Sequence, residues 1–365
     1  MNPDVLIVGG GIVGAACARA FLRQGMRVTI IERALIGGGA TASGMGHVVV
    51  MDDSESQFAL THRSRDLWDG LIPEMPAEVE FEQRGTLWVA ADEEELAAVT
   101  GKKAFYGERG VATELLDSNA LYLAEPGLRK GMAGGFLVPG DSVIYAPCAA
   151  NWLSQGATRI HGDVDEMGDG WLKLGNGDRM SAQIVICATG AWATELFPAL
   201  PVKPRKGHLA ITDRYPGAVH HQLIELGYLK SAHGHSTESV AFNVQPRKTG
   251  QLLIGSSRQY GVEDKAVEQH MVSKMLTRAM EYLPSIQEMS VIRLWTGFRA
   301  ATPDKLPIVG LCPGLKHTYL ATGHEGLGIT TSLGTAELLV NLATGQRGVL
   351  NPLDYGAERF AECRA

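Results

Sequence analysis

The hydrophobic and polar positions at the start of the chain predict a strand, a helix and a second strand. Residues 5–8 form a continuous apolar run, residues 12–24 have apolar positions at helical spacing, and residues 27–31 are again mostly apolar. This succession is typical of the first unit of a nucleotide-binding α/β fold.

Three glycines lie in the predicted turn between the first strand and the helix. The spacing of Gly9, Gly11 and Gly14 allows a tight turn, close approach to a pyrophosphate and close packing of helix on strand. Glu32 ends the second strand 18 residues after Gly14, where a carboxylate can accept hydrogen bonds from ribose hydroxyls and repels a 2′-phosphate. The pattern predicts NAD or FAD rather than NADP, and a purely structural glycine-rich turn is the alternative.

After Glu32 the chain departs from the regular alternation expected of an NAD-dependent dehydrogenase. Residues 37–47 are rich in glycine and hydroxyl side chains and offer backbone amides to a pyrophosphate or a planar ring, the alternative being a long mobile loop. From residue 80 to 139 and from 201 to 294 the pattern is one of short strands and turns. Helices are predicted at residues 57–71, 91–99 and 267–283. Strands are predicted at residues 209–212, 240–244 and 252–254.

The pattern of the nucleotide fold resumes near Asp141. Strands are predicted at residues 159–165 and 171–174, paired around the turn at 175–178. A third apolar strand at 184–188 leads into a turn at Gly190, where glycine lets the backbone approach a ligand. A strand placed so late in the sequence is difficult to explain in an NAD enzyme.

The last predicted strand, residues 317–321, precedes a glycine-rich turn and a closing helix that extends to residue 343. The turn contains Gly323, Gly326 and Gly328. Because the first amides of a helix lack partners within it, we expect this helix start to face an anionic or electron-rich group.

Composition narrows the class of protein. The chain has 365 residues, 45% hydrophobic and 20% charged, with 44 glycines and a formal charge of −7. These values predict a globular protein of two domains or one elaborate α/β unit, and they give no electrostatic reason to expect nucleic acid or an anionic membrane. We also expect no secretion signal and no membrane span, and therefore a cytoplasmic protein. The cysteines lack a CxxC pair, so neither a disulfide framework nor a metal site is predicted; they are Cys17, Cys148, Cys187, Cys312 and Cys363.

Four motifs in order along the chain resemble the FAD-dependent D-amino-acid oxidase family. They are GGGIVG at residues 9–14, ATGAW at 188–192, TGFRAATPDKLPIVG at 296–310 and ATGHEGLGIT at 321–330. The family includes glycine oxidase, sarcosine oxidase and bacterial D-amino-acid and hydroxyproline dehydrogenases. The resemblance implies an α/β, two-domain protein, with a Rossmann-type FAD-binding domain of residues 1–79, 140–198 and 295–365. An antiparallel-sheet substrate-binding domain of residues 80–139 and 199–294 is inserted between these pieces.

The resemblance also implies the cofactor contacts. Residues of the first turn and the second strand hold the ADP half, the 37–47 loop lines the flavin, a valine backbone meets adenine, and the last turn brackets the isoalloxazine ring. In chain order these residues are Gly9, Gly11, Ile12, Val13, Gly14, Glu32, Arg33, Thr41, Ser43, Met45, Gly46, His47, Val164, Thr189, Gly190, Trp192, Gly323, His324, Gly326, Leu327, Gly328 and Ile329. For His324 a simple turn-capping role is the alternative. Sarcosine oxidases carry a flavin-linked cysteine in the region matched by residues 297–301, and this chain has none there, so noncovalent FAD is expected.

Arg299 is the expected substrate residue. By the resemblance its guanidinium pairs with the carboxylate of an amino acid, for which a planar fork of donors is suited. A structural ion pair with Asp304 is the alternative. The chain departs from the family pattern at Ala300, where relatives have proline, and it lacks the tyrosine often found before the turn at Arg247. Further substrate candidates are His47, His208, Phe242 and Asn243, together with His233.

The expected reaction is oxidation of the C–N bond of a D-amino acid or cyclic secondary amino acid, of the D-hydroxyproline or D-proline type, to an imine by hydride transfer to flavin N5. A glycine- or sarcosine-type amine oxidase is one alternative. Another is the flavin subunit of a heteromeric dehydrogenase complex that is inactive alone, with an electron-acceptor protein or partner subunits. An NAD-linked dehydrogenase is a third hypothesis.

Overall fold

The chain forms two compact units, each assembled from separate stretches of sequence. The computed structural model describes residues 3–227 and 237–363. Unit 1 comprises Met1–Phe81, Ile144–Pro204 and Phe298–Ala365, and unit 2 comprises Glu82–Val143 and Arg205–Gly297. The boundaries expected from the sequence, at residues 79, 140, 198 and 295, lie 2 to 6 residues from these. Which unit binds FAD and which binds substrate stays a prediction.

The described residues contain strands and helices along their whole length. The strands of the described residues are β1 Val5–Val8, β2 Val28–Glu32, β3 His47–Val48, β4 Thr86–Ala90, β5 Glu114–Asp117, β6 Gly134–Val138, β7 Ser142–Val143, β8 Thr158–His161, β9 Val164–Gly168, β10 Trp171–Leu174, β11 Arg179–Ser181, β12 Ile184–Cys187, β13 Lys203–Arg214, β14 Gln222–Glu225, β15 Glu238–Pro246, β16 Gln251–Gln259, β17 Val291–Ala301, β18 Ile308–Leu311 and β19 Thr318–Thr322. The helices are α1 Ile12–Arg23, α2 Gly39–Ser43, α3 Glu55–Leu71, α4 Glu93–Glu108, α5 Ser118–Ala124, α6 Ala146–Leu153, α7 Ala193–Leu196, α8 Gln269–Tyr282 and α9 Gly328–Thr344. None of these helices combines the length and the hydropathy that a bilayer-spanning helix needs.

Unit 1 is organised around a six-stranded sheet with the order β18-β19-β12-β1-β2-β8. Strands β19, β12, β1, β2 and β8 run parallel, and only β18 is antiparallel to its neighbour. Val5 and Ile7 of β1 share a core with α1, α3, α6 and α9. Leu6 and Val8 point to the opposite core. Burial on both faces explains why β1 and β12 are continuous apolar runs rather than alternating ones.

The predicted strand at residues 159–165 is wrong in extent. The segment is two strands, because β8 ends at His161 in the parallel sheet and β9 begins at Val164 in a separate three-stranded sheet with the order β11-β10-β9. The N–H of Gly162 bonds to the carbonyl oxygen of Glu32 at 3.1 Å and closes the pairing of β8 with β2. The turn at residues 175–178 joins β10 to β11, and β10 also pairs with β9.

Unit 2 contains an eight-stranded sheet with the order β17-β13-β16-β15-β14-β4-β6-β5. The pairs β13–β16, β16–β15, β15–β14, β4–β6 and β6–β5 are antiparallel, whereas β14 and β4 run parallel. Helix α8 buries Met275, Ala279 and Tyr282 in one core with residues of β15 and β16, such as Phe242 and Ile254. Strand β17 begins in this unit and ends in unit 1, so it carries the chain directly to Arg299.

Candidate cofactor site and substrate arginine

The parallel strands of unit 1 end together at one edge of the sheet. Val8 is the register partner of both Ile31 and Cys187, and Cys187 is the partner of Leu320. From β1 the chain crosses by α1 to β2 on one side, whereas β12 joins on the other. Because ligands of such sheets bind outside the carboxyl ends of strands where the order reverses, this edge is the candidate cofactor site.

The first glycine loop leaves no room for side chains. A Cβ on Gly9, whose φ is +103°, would lie 2.5 Å from the carbonyl oxygen of Ala188. A Cβ on Gly14 would lie 2.0 Å from the carbonyl oxygen of Gly9. Gly11 caps α1 without a side-chain hydrogen bond, and the N–H of Ile12 donates to Thr41 Oγ1 at 2.9 Å. This is the tight turn, with strand and helix in close contact, that a pyrophosphate-binding loop requires.

Glu32 is held beside this loop. Its carboxylate accepts the N–H of Gly10 at 2.6 Å and the N–H of Ala34 at 2.8 Å. Each carboxylate oxygen has a further lone pair, so the group retains acceptor capacity for ribose hydroxyls.

Two further cofactor candidates lie near the ends of these strands. Val164 is the first residue of β9, which follows β8, the neighbour of β2 in the sheet. Arg33 is exposed, and its guanidinium lies 3.4 Å from the carboxylate of Glu195.

The segment at residues 37–47 includes a short helix rather than being a loop throughout. Thr41 and Met45 are buried, and Gly46 has a φ of +91°. The carbonyl oxygen of His47 accepts from Thr330 Oγ1 at 2.9 Å, which ties the segment to α9. Thr330 was not predicted as a site residue, since one threonine inside a helix gives no signal of a contact 283 positions away.

The loop after β12 joins the same edge. Gly190 has a φ of +60°, and its carbonyl oxygen accepts from Thr322 Oγ1 at 2.7 Å. The ring of Trp192 meets the ring of Phe298 edge-on, with centroids 5.5 Å apart. Residues 189–192 therefore lie between the turn that follows β19 and the strand that carries Arg299.

The last turn, at residues 323–327, leads into the amino terminus of α9. Gly323 and Gly326 have φ values of +74° and +90°, and the N–H of Leu327 donates to the carbonyl oxygen of His324 at 2.7 Å. His324 is buried, and its Nε2 lies 3.0 Å from Thr335 Oγ1. Burial lowers the pKa of His324 to about 4, so the ring is neutral at pH 7. The ring therefore bonds to a hydroxyl inside α9, and no side chain of the described residues caps the start of that helix. Contact of His324 with the flavin stays a prediction.

Arg299 lies against the same turn. A Cβ on Gly326 would be 3.0 Å from Cδ and 3.1 Å from Nε of Arg299, so the arginine stem crosses this glycine. The N–H of Glu325 donates to the carbonyl oxygen of Ala300 at 3.0 Å, which joins turn and strand. The alternative partner of Arg299, Asp304, uses both carboxylate oxygens to bind Arg359, at 2.7 and 3.2 Å.

The remaining substrate candidates occupy different environments. The Nδ1 of buried His208 lies 2.9 Å from Ser257 Oγ, and its Nε2 accepts the N–H of Glu268 at 3.1 Å. Phe242 is fully buried and stacks on Tyr282 with centroids 4.4 Å apart. These contacts favour a packing role for His208 and Phe242 over substrate contact, because both side chains are committed within unit 2. Half-buried His47 and buried Asn243 stay predictions, and His233 lies outside the described residues.

The edge as a whole fits an FAD molecule. It supplies a glycine loop that any Cβ would fill, a carboxylate at the end of β2, and a second helix start at Gly328. One helix amino terminus suits the phosphates of such a nucleotide, and a second suits the negative charge that a flavin gains when it is reduced. The site draws on segments at residues 9–47, 164–192 and 299–329.

Comparisons with known proteins agree with this fit. The DAO family model, described as FAD dependent oxidoreductase, matches residues 4–342. Glycine oxidase of Pseudomonas aeruginosa is 26% identical over 97% of this chain and 98% of its own length. Hydrogen cyanide synthase subunit HcnC of Pseudomonas protegens is 26% identical over 98% of this chain and 96% of its own. The crystal structure of glycine oxidase from Geobacillus kaustophilus superposes with a TM-score of 0.87 at 26% identity, covering 98% of this chain and 99% of that one.

The family match spans most of the chain, and the structural similarity extends through both units. The resemblance and the α/β two-domain fold inferred from the sequence are therefore confirmed. The NAD-linked hypothesis is set aside by the same match. The chain belongs to the DAO family of FAD-dependent oxidoreductases, and its cofactor is FAD.

Proposed function

We propose that this enzyme oxidises the C–N bond of glycine or a small N-substituted glycine such as sarcosine to an imine. Two of the relatives described above are glycine oxidases, one of them a solved structure with a TM-score of 0.87. The observation that carries the proposal is the position of Arg299 across Gly326, at the turn that starts α9. A fixed guanidinium at the cofactor edge supports a substrate that has a carboxylate.

Arg299 binds and orients the substrate in this proposal. Its guanidinium makes two parallel charge-assisted hydrogen bonds to the carboxylate, which sets the direction of the α-carbon. The contact of its stem with Gly326 fixes the fork before substrate arrives, so little rotamer entropy is lost on binding. Rate enhancement then rests on orientation rather than on a proton-shuttling side chain.

The cofactor and the turn before α9 have complementary roles. When bound, FAD supplies the two-electron acceptor for oxidation of the C–N bond. The N–H groups of Gly328 and Ile329 lie in the first turn of α9, where they stabilise negative charge that develops nearby. Neutral His324 adds no positive charge, so these amides and Arg299 set the local field.

Oxidation of a D-amino acid or of D-proline-type rings has less support than the glycine-type reaction. The chain shares 26% identity with each glycine oxidase reported above. A glycine substrate has no side chain to accommodate, whereas a cyclic substrate needs an apolar wall around its ring. Phe242, the aromatic candidate for such a wall, is buried in the core of unit 2.

A second candidate function is that of a flavin subunit within a larger assembly. The supporting observation is the similarity to HcnC over 98% of this chain, since that relative is named as a subunit. Consumption of oxygen by the isolated FAD-loaded chain with glycine supports the simple oxidase. If substrate reduces the flavin but the electrons pass only to an added artificial acceptor, the result supports the function of a flavin subunit.

The substrate class is tested by anaerobic reduction of the FAD-loaded protein. Glycine, sarcosine, D-proline and D-hydroxyproline are added separately, and loss of the visible flavin absorption is followed over time. We expect glycine or sarcosine to bleach the flavin with a higher second-order rate constant than either cyclic acid. Faster bleaching by a cyclic acid would overturn the glycine-type assignment and leave the oxidoreductase family intact.

A further inference from the structure

Unit 2 contains a cavity of about 170 Å³ whose wall is basic. Its lining includes Arg84, Arg247, Lys248 and His220, and among the described residues that line it there is no Asp or Glu. Arg84 is paired with Glu82, Nη2 to Oε1 at 3.0 Å, and His220 Nδ1 lies 3.6 Å from Oε2 of buried Glu125, so both residues have acidic partners outside the lining. A basic cavity is unexpected in a chain with a formal charge of −7.

Two hydrogen-bonded turns form the wall. The N–H of Gly250 donates to the carbonyl oxygen of Arg247 at 2.8 Å, which closes the turn between β15 and β16. The N–H of Ala218 donates to the carbonyl oxygen of Tyr215 at 3.2 Å and closes the second turn. The N–H of Tyr215 also donates to the carbonyl oxygen of Gly250 at 2.7 Å, so the turns are locked together. The cavity is therefore pre-formed and needs little ordering to bind a ligand.

Close packing reinforces this arrangement. Gly250 has a φ of +84°, and a Cβ there would lie 2.9 Å from Cγ of Pro216 on the facing turn. Arg247 is 8% exposed although its turn is at the surface, whereas the neighbouring Lys248 is exposed. The wall thus presents a buried arginine beside an exposed lysine.

We propose that this cavity binds a phosphate group, either as free phosphate or as a small phosphate ester. Guanidinium groups match phosphate oxygens with paired donors, and lysine adds a point charge. The cavity is smaller than the roughly 300–1,000 Å³ of sites for larger organic ligands, which favours a small anion. This site is separate from the proposed amine oxidation, because every residue that lines it belongs to unit 2.

Calorimetric titration of the FAD-loaded protein at low ionic strength tests this site. The probes are inorganic phosphate, glycerol phosphate and succinate, with sodium chloride added to equalise ionic strength. Lys248→Ala and the charge reversal Lys248→Glu change the exposed cation of the wall with little risk to folding. Lys103→Ala is the matched control, since Lys103 is an exposed lysine of α4 outside the cavity lining.

We expect saturable binding of phosphate or its ester, weakened about tenfold by Lys248→Ala and further by Lys248→Glu, because the first variant removes a charged hydrogen-bond donor and the second adds a repelling carboxylate. Lys103→Ala should bind as the parent chain does. Tighter binding of glycerol phosphate identifies the ester as the ligand form, and tighter binding of phosphate identifies the free ion. Absence of saturable binding, equal loss in the control variant, or succinate binding as tight as phosphate would overturn the proposal.

Discussion

At the residue scale, the position of the Arg299 side chain depends on Gly326, the residue that it crosses. A Cβ on Gly326 would lie 3.0–3.1 Å from Cδ and Nε of Arg299, closer than side chains normally allow. The stem of Arg299 is therefore held by packing. Gly326 acts in this account as a positioning residue for the substrate arginine.

The first prediction concerns the variant Gly326→Ala. The added methyl displaces the stem of Arg299, so KM for glycine should rise by about 10-fold or more, in line with the 1–3 kcal/mol cost of overpacking. The control is Gly345→Ala, which has a similar positive φ of +71° but nothing within 4 Å of the added methyl. Steady-state kinetics with both variants measures this. Equal changes in KM for the two variants would show that backbone strain, and not displacement of Arg299, is responsible.

A second prediction follows from the buried ring of His324. Burial lowers its pKa from 6.5 to about 4 in the folded chain. Below pH 6.5 the unfolded chain takes up this proton and the folded chain does not, so stability falls as pH falls and the loss is complete near pH 4. At pH 5 the loss amounts to about 2 kcal/mol, since each unit of pKa difference is worth about 1.4 kcal/mol.

Urea unfolding of the parent chain and of His324→Gln from pH 7.5 to pH 5 tests this effect. The parent should lose about 2 kcal/mol more of its unfolding free energy than His324→Gln across this range. His161→Gln removes an exposed histidine instead and should follow the parent profile. Parallel pH profiles for the parent and His324→Gln would contradict a buried neutral ring.

At the scale of single elements, the start of α1 is the part of the site most sensitive to added volume. A Cβ on Gly14 would lie 2.0 Å from the carbonyl oxygen of Gly9. Since that oxygen belongs to the loop itself, any side chain here must push the helix away from the strand. The amides that face the phosphates would move with it.

The third prediction compares two glycine-to-alanine changes in helices. Gly14→Ala should weaken FAD binding by about 1–3 kcal/mol, which is roughly 5- to 150-fold in Kd. Gly70→Ala in α3 adds its methyl to open space and should retain FAD affinity and gain about 0.5–1 kcal/mol of stability. Fluorescence titration of FAD into the apoprotein measures both. Similar affinities for the two variants would place the phosphates elsewhere.

The sequence predicted elements well where local pattern decides them. Strand β1, helix α1 and strand β10 lie within one residue of expectation, because continuous apolar runs and glycine turns are local signals. The break at Gly162 was missed, since it depends on β8 pairing with β2 and β9 joining another sheet. The parallel pairing of β14 with β4 was missed for the same reason.

The same distinction between local and distant contacts applies to the candidate site. The glycine turns could be predicted from motifs, because backbone conformation restricts the residue types allowed there. The role of Arg299 comes from the family resemblance and stays a prediction. The contacts of Phe242 and His208 could not be predicted, since their partners Tyr282 and Ser257 are 40 and 49 positions away. Periodicity does not specify such distant contacts.

At the scale of the whole molecule, unit 1 is assembled from three stretches of chain that meet at one sheet edge. If FAD binds at that edge as proposed, it contacts residues from each stretch and links segments that are far apart in sequence. A ligand that binds only the folded state stabilises it in proportion to its affinity. The oxidoreductase should therefore be more resistant to heat when loaded with FAD.

The fourth prediction is that the flavin is released on unfolding. The stretch at residues 297–301 contains no cysteine to form a flavin linkage. Acid precipitation of the yellow protein should leave the flavin absorption in the supernatant. The supernatant and the redissolved pellet are compared by absorption at the flavin maximum, and colour retained by the pellet would indicate a covalent bond through another residue.

The central claim is that Arg299 holds the substrate carboxylate at the cofactor edge. Its most direct test is steady-state oxidation of glycine by the parent chain, Arg299→Ala and Arg293→Ala, with visible spectra of all three. Arg293 is an exposed arginine of the same strand and serves as the control. The account predicts a fall in kcat/KM of about 100-fold for Arg299→Ala, mainly through KM, with an unchanged flavin spectrum. An unchanged KM in Arg299→Ala, or an equal effect in Arg293→Ala, would contradict it.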